Sequence, residues 1–365
     1  MKIGINIEKV HNEITGEGVV TKEVVKRLLR IDEKNEYFLF SGSSLIRSIL
    51  LREAINQVLV PYSVKKVRID ILYQPSGFIP VFCPCTKVYV LHSSLDTLRI
   101  SSVPNLLSKI MRVNSIKDSS HLIVVSNYLK NLVASKFKFP LSKISVVYNG
   151  VDHSKFHPMN KAFSDRNIQK YIAHDLQEFE HVVLSVPGTF AIHKNLITLL
   201  MAFSKLPSSI RHETKLVVVA QKKGELYKTF LEVCKHTKLE KNVFITGYIP
   251  HEKMPYLYNI AKVLLHLPLD EAFGLPPLEA MACGVPVIVS KVGGLPEVVG
   301  DAGIFTDPTK VTQVANSLEH LLTDPQLRTS LQNRGIARSK IFSWDFTAKN
   351  TLRVLEQVFE KKKVS

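Results

Sequence analysis

Two doubly wound α/β domains in tandem are what this sequence predicts, and three observations carry that expectation. Continuous apolar runs end in small polar residues and alternate with segments of helical spacing, the pattern of parallel strands covered on both faces. The alternation runs from residue 2 to about 152, lapses in a polar stretch, and restarts at 181. At 365 residues the chain is also long for one hydrophobic core and natural for two.

In the first half, KIGINI (2–7) reads as a strand, Thr15-Gly16-Glu17-Gly18 as a loop and VTKEVVKRLLR (20–30) as a helix. EYFLFS (36–41), TKVYVLHSS (86–94) and HLIVVSN (121–127) continue as strands. SNYLKNLVASKF (126–137) is a helix opened by a Ser or Asn cap, and KISVVYNGVD (143–152) is a strand closed by an Asn-Gly turn. MNKAFSDRNIQKYIAHDLQEFEH (159–181) offers no strand and is the expected join. Beyond it, HVVLSVPG (181–188), KLVVVAQ (215–221), NVFITGYI (242–249), KVLLHLP (262–268) and VPVIVS (285–290) read as strands, with NLITLLMAFSKL (195–206) a helix among them. Open parallel sheets take ligands at the carboxyl ends of their strands, and two such domains make a cleft.

With 45% hydrophobic and 22% charged residues the composition is that of an ordinary globular protein. No apolar run reaches the roughly 18–20 residues of a membrane-spanning helix. The start, MKIGINIEKV, has neither the apolar core nor the cleavage site of a signal peptide, so a cytoplasmic setting is expected. The four cysteines, Cys83, Cys85, Cys234 and Cys283, show no CxxC pair and no zinc-type partners, so reduced thiols and no metal are expected. A net charge of +16 attracts phosphate groups on nucleotides, anionic lipids or nucleic acids, although a merely solvated basic surface explains it equally well. Basic clusters interleaved with aromatic residues are missing, and no nucleic-acid partner is expected.

The most informative stretch is HLPLDEAFGLPPLEAMACGVPVIVS (266–290). Two prolines open a short helix after Gly274, and Gly284 is placed to stop it in a left-handed conformation. The helix start offers free amides and a positive dipole end, a natural pocket for phosphate or sugar oxygens. Glu271 lies just before it and Glu279 about a turn inside; as acceptors, both suit the hydroxyls of a hexose and a ribose. A helix-favouring Glu279 and a solvated Glu271 would read the same way on spacing alone.

EAFGLPPLEAMACGVPVIVS, followed by VGGLPEVVGDAGIFTDP (292–308), closely resembles the signature of retaining glycosyltransferase family 4, or group 1, which has the GT-B fold; Glu271 and Glu279 match its E-x7-E motif. Other segments resemble the family in the same order. They are ITGEGVV (14–20), SNYLKNLVASKF with KISVVYNGVDHSKF (126–156), PGTFAIHKN (187–195), FITGYIPHEKMPYLYNIA (244–261) and FSWDFTAKNTL (342–352). The resemblance implies GT-B architecture, two Rossmann-like domains facing a central cleft. An acceptor-side domain is expected over 1–165 and a nucleotide-sugar donor domain over 180–345, with a terminal helix at about 346–365 packing back on the first.

Roles follow from that resemblance. Glu271 is implied to bind the donor sugar's hydroxyls, and Ala272, Phe273, Gly274 and Leu275 to offer amides to the sugar and distal phosphate. Glu279 is implied to bind the ribose, Tyr248 and Ile249 to lie on the nucleobase side, and Gly16 and Gly18 to face the acceptor and diphosphate. Lys194 is implied to stabilise the departing diphosphate, and His92 matches a histidine near the reacting sugar. Where many relatives carry Arg after the loop glycine, this chain has Thr189, so His193, Lys222 or Lys223 is expected to supply the missing cation. The implied reaction moves a hexose, with mannose suggested by the Gly-Thr loop, from a donor such as GDP-mannose or a UDP-hexose to an acceptor hydroxyl with retention. It needs no metal and no cofactor. Another GT-B enzyme, a nucleotide-sugar epimerase or a phosphorylase, is the alternative, followed by a basic nucleic-acid-binding protein, which charge alone suggests. Finally, DTLRISSVPNLLSKIMRVNSIK (96–117) alternates Leu106, Leu107, Ile110, Met111 and Val113 with Lys109 and Arg112, a pattern suited to an anionic membrane surface on the inner face, where lipid-linked acceptors reside.

Overall fold

The computed structural model describes residues 1–8, 15–41, 49–93, 103–172, 176 and 179–364. Ile14 of the first loop and residues 96–102 of the amphipathic stretch therefore lie outside the described residues. The chain divides into two compact units, 1–150 with 343–365 and 151–342.

Unit 1 builds β1 (Lys2–Asn6), α1 (Gly16–Ile31), β2 (Glu36–Phe40), α2 (Ile49–Val67), β3 (Ile71–Gln74), β4 (Thr86–Leu91), α3 (Val103–Asp118), β5 (His121–Val124), α4 (Asn127–Phe137) and β6 (Ile144–Val146). Its sheet runs β2-β1-β3-β4-β5-β6, every pair parallel. The apolar runs became strands because both faces are covered: β3 and β5 are buried along their whole length. Ser126 caps α4 as expected, its hydroxyl accepting the Leu129 amide at 3.2 Å. The Thr15–Gly18 segment is not a loop but the start of α1: Thr15 Oγ1 accepts the Gly18 amide at 3.2 Å and closes the first turn. β3 and α2 escaped the sequence reading; α2 holds Pro61 inside it, and β3 is only four residues long.

Unit 2 comprises α5 (Lys161–Ile168), β7 (His181–Gly188), α6 (Leu196–Ser204), α7 (Ser208–His212), β8 (Thr214–Ala220), α8 (Glu225–His236), β9 (Val243–Ile245), α9 (Met254–Ile260), β10 (Val263–His266), α10 (Leu275–Ala282), β11 (Val287–Ser290), α11 (Leu295–Val299), β12 (Ile304–Thr306), α12 (Val311–Thr323) and α13 (Pro325–Ser339). Its parallel sheet runs β12-β11-β10-β7-β8-β9. The expected join at 159–181 carries α5, which packs on α9 and buries Ile168, and Ile172 just beyond the helix is buried too. That polar sequence belongs to unit 2, so the first unit gives way at Gly150 rather than at 165.

The chain then returns to unit 1 as α14 (Trp344–Val364), which packs along α1. A Cβ on Gly150 would fall 2.2 Å from the Ser343 carbonyl carbon and the Trp344 nitrogen, so this close approach requires glycine. Thr347 Oγ1 donates to the Tyr148 carbonyl at 2.8 Å beside it. Among the described residues no helix is long and apolar enough to cross a membrane.

Candidate active site

The strand order of unit 2 reverses between β7 and β10, its earliest and fourth strands. Chains leaving two such strands turn to opposite sides, which opens a crevice at their carboxyl ends. The residues that follow β7 and β10 fill this crevice and are tied together: the Leu269 amide donates to the His193 carbonyl at 2.7 Å. Lys194 ends a single 3-10 turn, Ile192–Lys194, after which Asn195 adopts a left-handed φ of 54° and anchors its side-chain amide on the Pro308 carbonyl at 2.8 Å. The turn aims Lys194 across the crevice, where its Nζ lies 3.0 Å from Glu271 Oε2. His266 Nε2, at the end of β10, lies 3.5 Å from the same oxygen.

Burial alone would raise the Glu271 carboxyl; the Lys194 ammonium and His266 outweigh it and hold the group well below the usual carboxylate range. The buried His266 ring is pushed down by burial, against the pull of Glu271. His193 is likewise lowered, by burial and then by Lys194. Lys194 is the cation beside it, and Glu271 and Asp270 pull it the other way. Lys222 remains exposed, with Nζ 6.0 Å from the centre of the Phe244 ring.

The backbone of Glu271 is clamped from the far side. Gly294 donates its amide to the Glu271 carbonyl at 2.8 Å, and a Cβ on Gly293 would lie 2.0 Å from that carbonyl oxygen. With φ at +58° as well, position 293 has room for glycine alone. The next residues enter α10 through Gly274, and the chain leaves that helix through Gly284 in the expected left-handed conformation. Pro276 and Pro277 have no amide hydrogen, and the Leu278 amide already bonds the Gly274 carbonyl. Leu275 is therefore the first-turn residue whose amide has no intrahelical acceptor. Ala272 and Phe273 are buried, and the Phe273 ring meets Phe342 edge-on at 6.0 Å.

Glu279, one turn inside α10, is buried and held at both oxygens. His251 Nε2 lies 2.7 Å from Oε1, and the Tyr258 hydroxyl donates to Oε2 at 2.8 Å. Burial and the adjacent carboxylate push the Tyr258 hydroxyl far up, so it stays a donor. Each carboxylate oxygen keeps a second lone pair for a ligand hydroxyl. His251 rests against the Phe156 ring, 5.3 Å between centroids.

The structure thus pairs Lys194 with Glu271, ties the His193 loop to the loop leading into Gly274 and Leu275, and sets Glu279 one turn inside α10 with its own partners, His251 and Tyr258. Thr189 is exposed beyond β7; Tyr248 is half exposed and Ile249 buried after β9. Gly16 and Gly18 stand in the first turn of α1, and His92 follows β4 with Nε2 2.6 Å from the Pro75 carbonyl, all in unit 1. Sequence reasoning missed His266, His251 and Tyr258, the partners that orient the two acids. A histidine closing an apolar strand, and His251 and Tyr258 spaced by seven, were the signals present. Among the described residues, Glu180, His181 and Glu213 bring potential metal ligands within 4.8 Å of one another at the opposite ends of β7 and β8. Lys262 already fills that spot as a cation, its Nζ 2.6 Å from His181 Nδ1.

Comparison with known proteins gives concordant results for both halves. Residues 171–338 match the sequence model of the glycosyl transferases group 1, and residues 19–155 that of glycosyltransferase family 4. O-antigen chain mannosyltransferase B of Escherichia coli is 29% identical, over 96% of this chain and 98% of that protein. Among solved structures, sucrose-phosphate synthase from Thermosynechococcus elongatus superposes with a TM-score of 0.79 at 17% identity, covering 99% of this chain and 100% of that one. Anabaena Alr3699/HepE in complex with UDP and glucose gives 0.76 at 19% identity, covering 98% and 99%. These likenesses establish the GT-B fold.

Proposed function

Because this chain belongs to the group 1 glycosyltransferases, family 4, we propose that it moves a hexose, mannose in the first instance, from a nucleoside-diphosphate sugar to an acceptor hydroxyl with retained configuration. The observation that carries the reading is the Lys194–Glu271 pair, 3.0 Å apart at the topological switch of unit 2 and beside the amino end of α10. Glu271, kept ionised by its neighbours, accepts hydrogen bonds from the hydroxyls of the donor hexose. The diphosphate binds toward the Leu275 amide and the positive helix end, where it draws on the Lys194 ammonium as well. As the anomeric bond stretches, charge gathers on the leaving diphosphate, and a fixed cation stabilises that charge more than it stabilises the bound donor. Glu279, oriented by His251 and Tyr258, takes the ribose hydroxyls.

In this reading the acids bind and orient, and neither attacks the sugar. The departing phosphate oxygen accepts the proton of the acceptor hydroxyl as the new glycosidic bond forms on the same face. The full-length likeness to a mannosyltransferase supports the choice of sugar, and the UDP and glucose bound by the HepE neighbour support a nucleotide-sugar donor. The acceptor is a glycan or lipid-linked hydroxyl met at an anionic membrane surface.

The test is a thermal-shift panel of GDP, UDP, ADP and dTDP, followed by product analysis with the matching sugar donor. A ligand present at about 100 times its Kd raises stability by about 2.7 kcal/mol. Stabilisation by one nucleotide, transfer with retained anomeric configuration, and its loss in Glu271→Ala are expected. No stabilisation by any of the four, or undiminished transfer by Glu271→Ala, overturns the reading.

A further inference from the structure

Unit 1 carries an outer face that sugar transfer does not use. On α2, the core side is Asn56, Val60 and Val64, and the opposite side presents Val58, Leu59 and Tyr62, followed by Lys65 and Lys66. Val58 and Tyr62 are 68% and 64% exposed, and Phe82, in the segment before β4, is 87% exposed. Large apolar side chains scattered singly over a surface need no explanation, but a contiguous set does.

The set is contiguous because one residue binds both neighbouring helices. The Ile79 amide donates to Ser115 Oγ of α3 at 2.9 Å, and the Ile79 carbonyl accepts Gln57 Nε2 of α2 at 3.5 Å. Gln57 Oε1 also takes the Val81 amide at 2.9 Å. Residues 79–82 therefore form a strap between α2 and α3, with Phe82 projecting from it. On the far side of the strap, α3 turns Leu106, Leu107 and Ile110 outward. Arg112 does not join them: it points inward, 2.9 Å from Ser93 Oγ and 3.7 Å from Glu17.

Among the side chains described on this face, the exposed charge left unmatched by an acid is positive. Between residues 55 and 82 the single acid is Asp70, whose Oδ2 takes the Lys2 amide at 2.7 Å. Between 106 and 118 the single acid is Asp118, paired with Lys87 at 2.5 Å. Lys65, Lys66 and Lys117 stand exposed at the same end of the two helices.

We propose that the outer face of α2, the 79–82 strap and α3 docks on an anionic lipid bilayer, with the Phe82 ring as its apolar anchor and Lys65 and Lys66 against the headgroups. An apolar projection rimmed by unopposed lysines matches the boundary between acyl chains and acidic headgroups. The docking gives a lipid-linked acceptor its meeting place and so deepens the proposed function, while its geometry lies wholly in unit 1.

Flotation of the full chain with phosphatidylcholine vesicles, with and without phosphatidylglycerol, tests this. Binding to the phosphatidylglycerol vesicles that weakens with salt is expected. Phe82→Ser, at a ring already in solvent, weakens partitioning about tenfold, and Lys65→Glu with Lys66→Glu about as much again. Neither variant changes the melting temperature or the shift given by the preferred nucleotide. Absence of wild-type flotation, or equal flotation of Phe82→Ser, overturns the proposal. So does sedimentation showing a dimer that Phe82→Ser converts to monomer, since a second copy of the chain then covers the face. Flotation without any nucleotide-dependent stabilisation sinks the transferase reading and leaves the docking intact.

Discussion

Replacing Lys194 with Met isolates what the ion pair at the crevice does. Nζ and Oε2 stand 3.0 Å apart, and the two side chains are 20% and 18% exposed. At an effective dielectric near 20, a unit pair at that distance attracts by about 5 kcal/mol before desolvation is counted. Truncating one partner of a fully buried pair costs about 3–5 kcal/mol; with this much solvent contact the cost falls below that range, to about 2–3 kcal/mol, seen as a drop of several degrees in Tm. Activity falls further, since removing one group that stabilises leaving charge costs roughly 100- to 1,000-fold in kcat. The pH dependence has a definite sign. In the wild type the Glu271 carboxyl is depressed, so the ionised form survives to low pH and its contribution is lost only as pH falls through that low value. Without Lys194, the upward push of burial is opposed by His266 alone, and the acid limb of kcat/KM moves to higher pH. Adding Glu271→Gln to Lys194→Met removes the stranded charge, so the double variant regains Tm without regaining turnover. Urea melts and steady-state pH profiles on the three variants decide the matter. A Lys194→Met enzyme with unchanged kcat and acid limb, or a double variant less stable than the single one, refutes the reasoning.

Three further outcomes are expected. Tyr258→Phe withdraws the 2.8 Å donor from buried Glu279, which costs about 1 kcal/mol of orientation and raises the donor KM about fivefold while kcat changes little; a purely structural tyrosine would lower Tm and leave KM alone. Gly293→Ala drives a Cβ into the Glu271 carbonyl, so donor binding measured by calorimetry weakens at least tenfold even where circular dichroism shows a folded chain. The buried His121 ring is pushed down to about 4 by burial and by Lys361 and Lys143, whereas the unfolded ring titrates near 6.5. Its stabilisation is full above pH 6.5 and declines toward pH 4 as the unfolded chain takes up the proton first, so His121→Asn flattens the Tm-versus-pH curve in that window.

What could be read from the sequence was whatever rests on local pattern. β7 and β10 announced themselves as apolar runs because both faces of the sheet are covered, and Ser126 as a cap because its hydroxyl meets an amide three residues on. β3 was not legible: Ile71–Gln74 is too short for a period, and its burial is set by β1 and β4 on either side. The α5 segment looked like a join because its burial rests on a few positions such as Ile168, against α9 far along the chain. The E-x7-E pair was visible as spacing, and so was the helix between its members. Its supporting groups were not, since His251 and Tyr258 reach Glu279 from another element and Lys194 reaches Glu271 from 77 positions away. No window of sequence holds such a pair; only the reversal of strand order between β7 and β10 does.

The division of the chain has a consequence for its biosynthesis. Unit 2 is a single unbroken span, whereas unit 1 takes its final helix from residues that follow that span. A ribosome therefore releases every strand of the second sheet before the earlier-made half receives α14. Until then α1 lies without the helix that covers it, and the tight seat at Gly150 stands vacant. The half translated earliest is completed last.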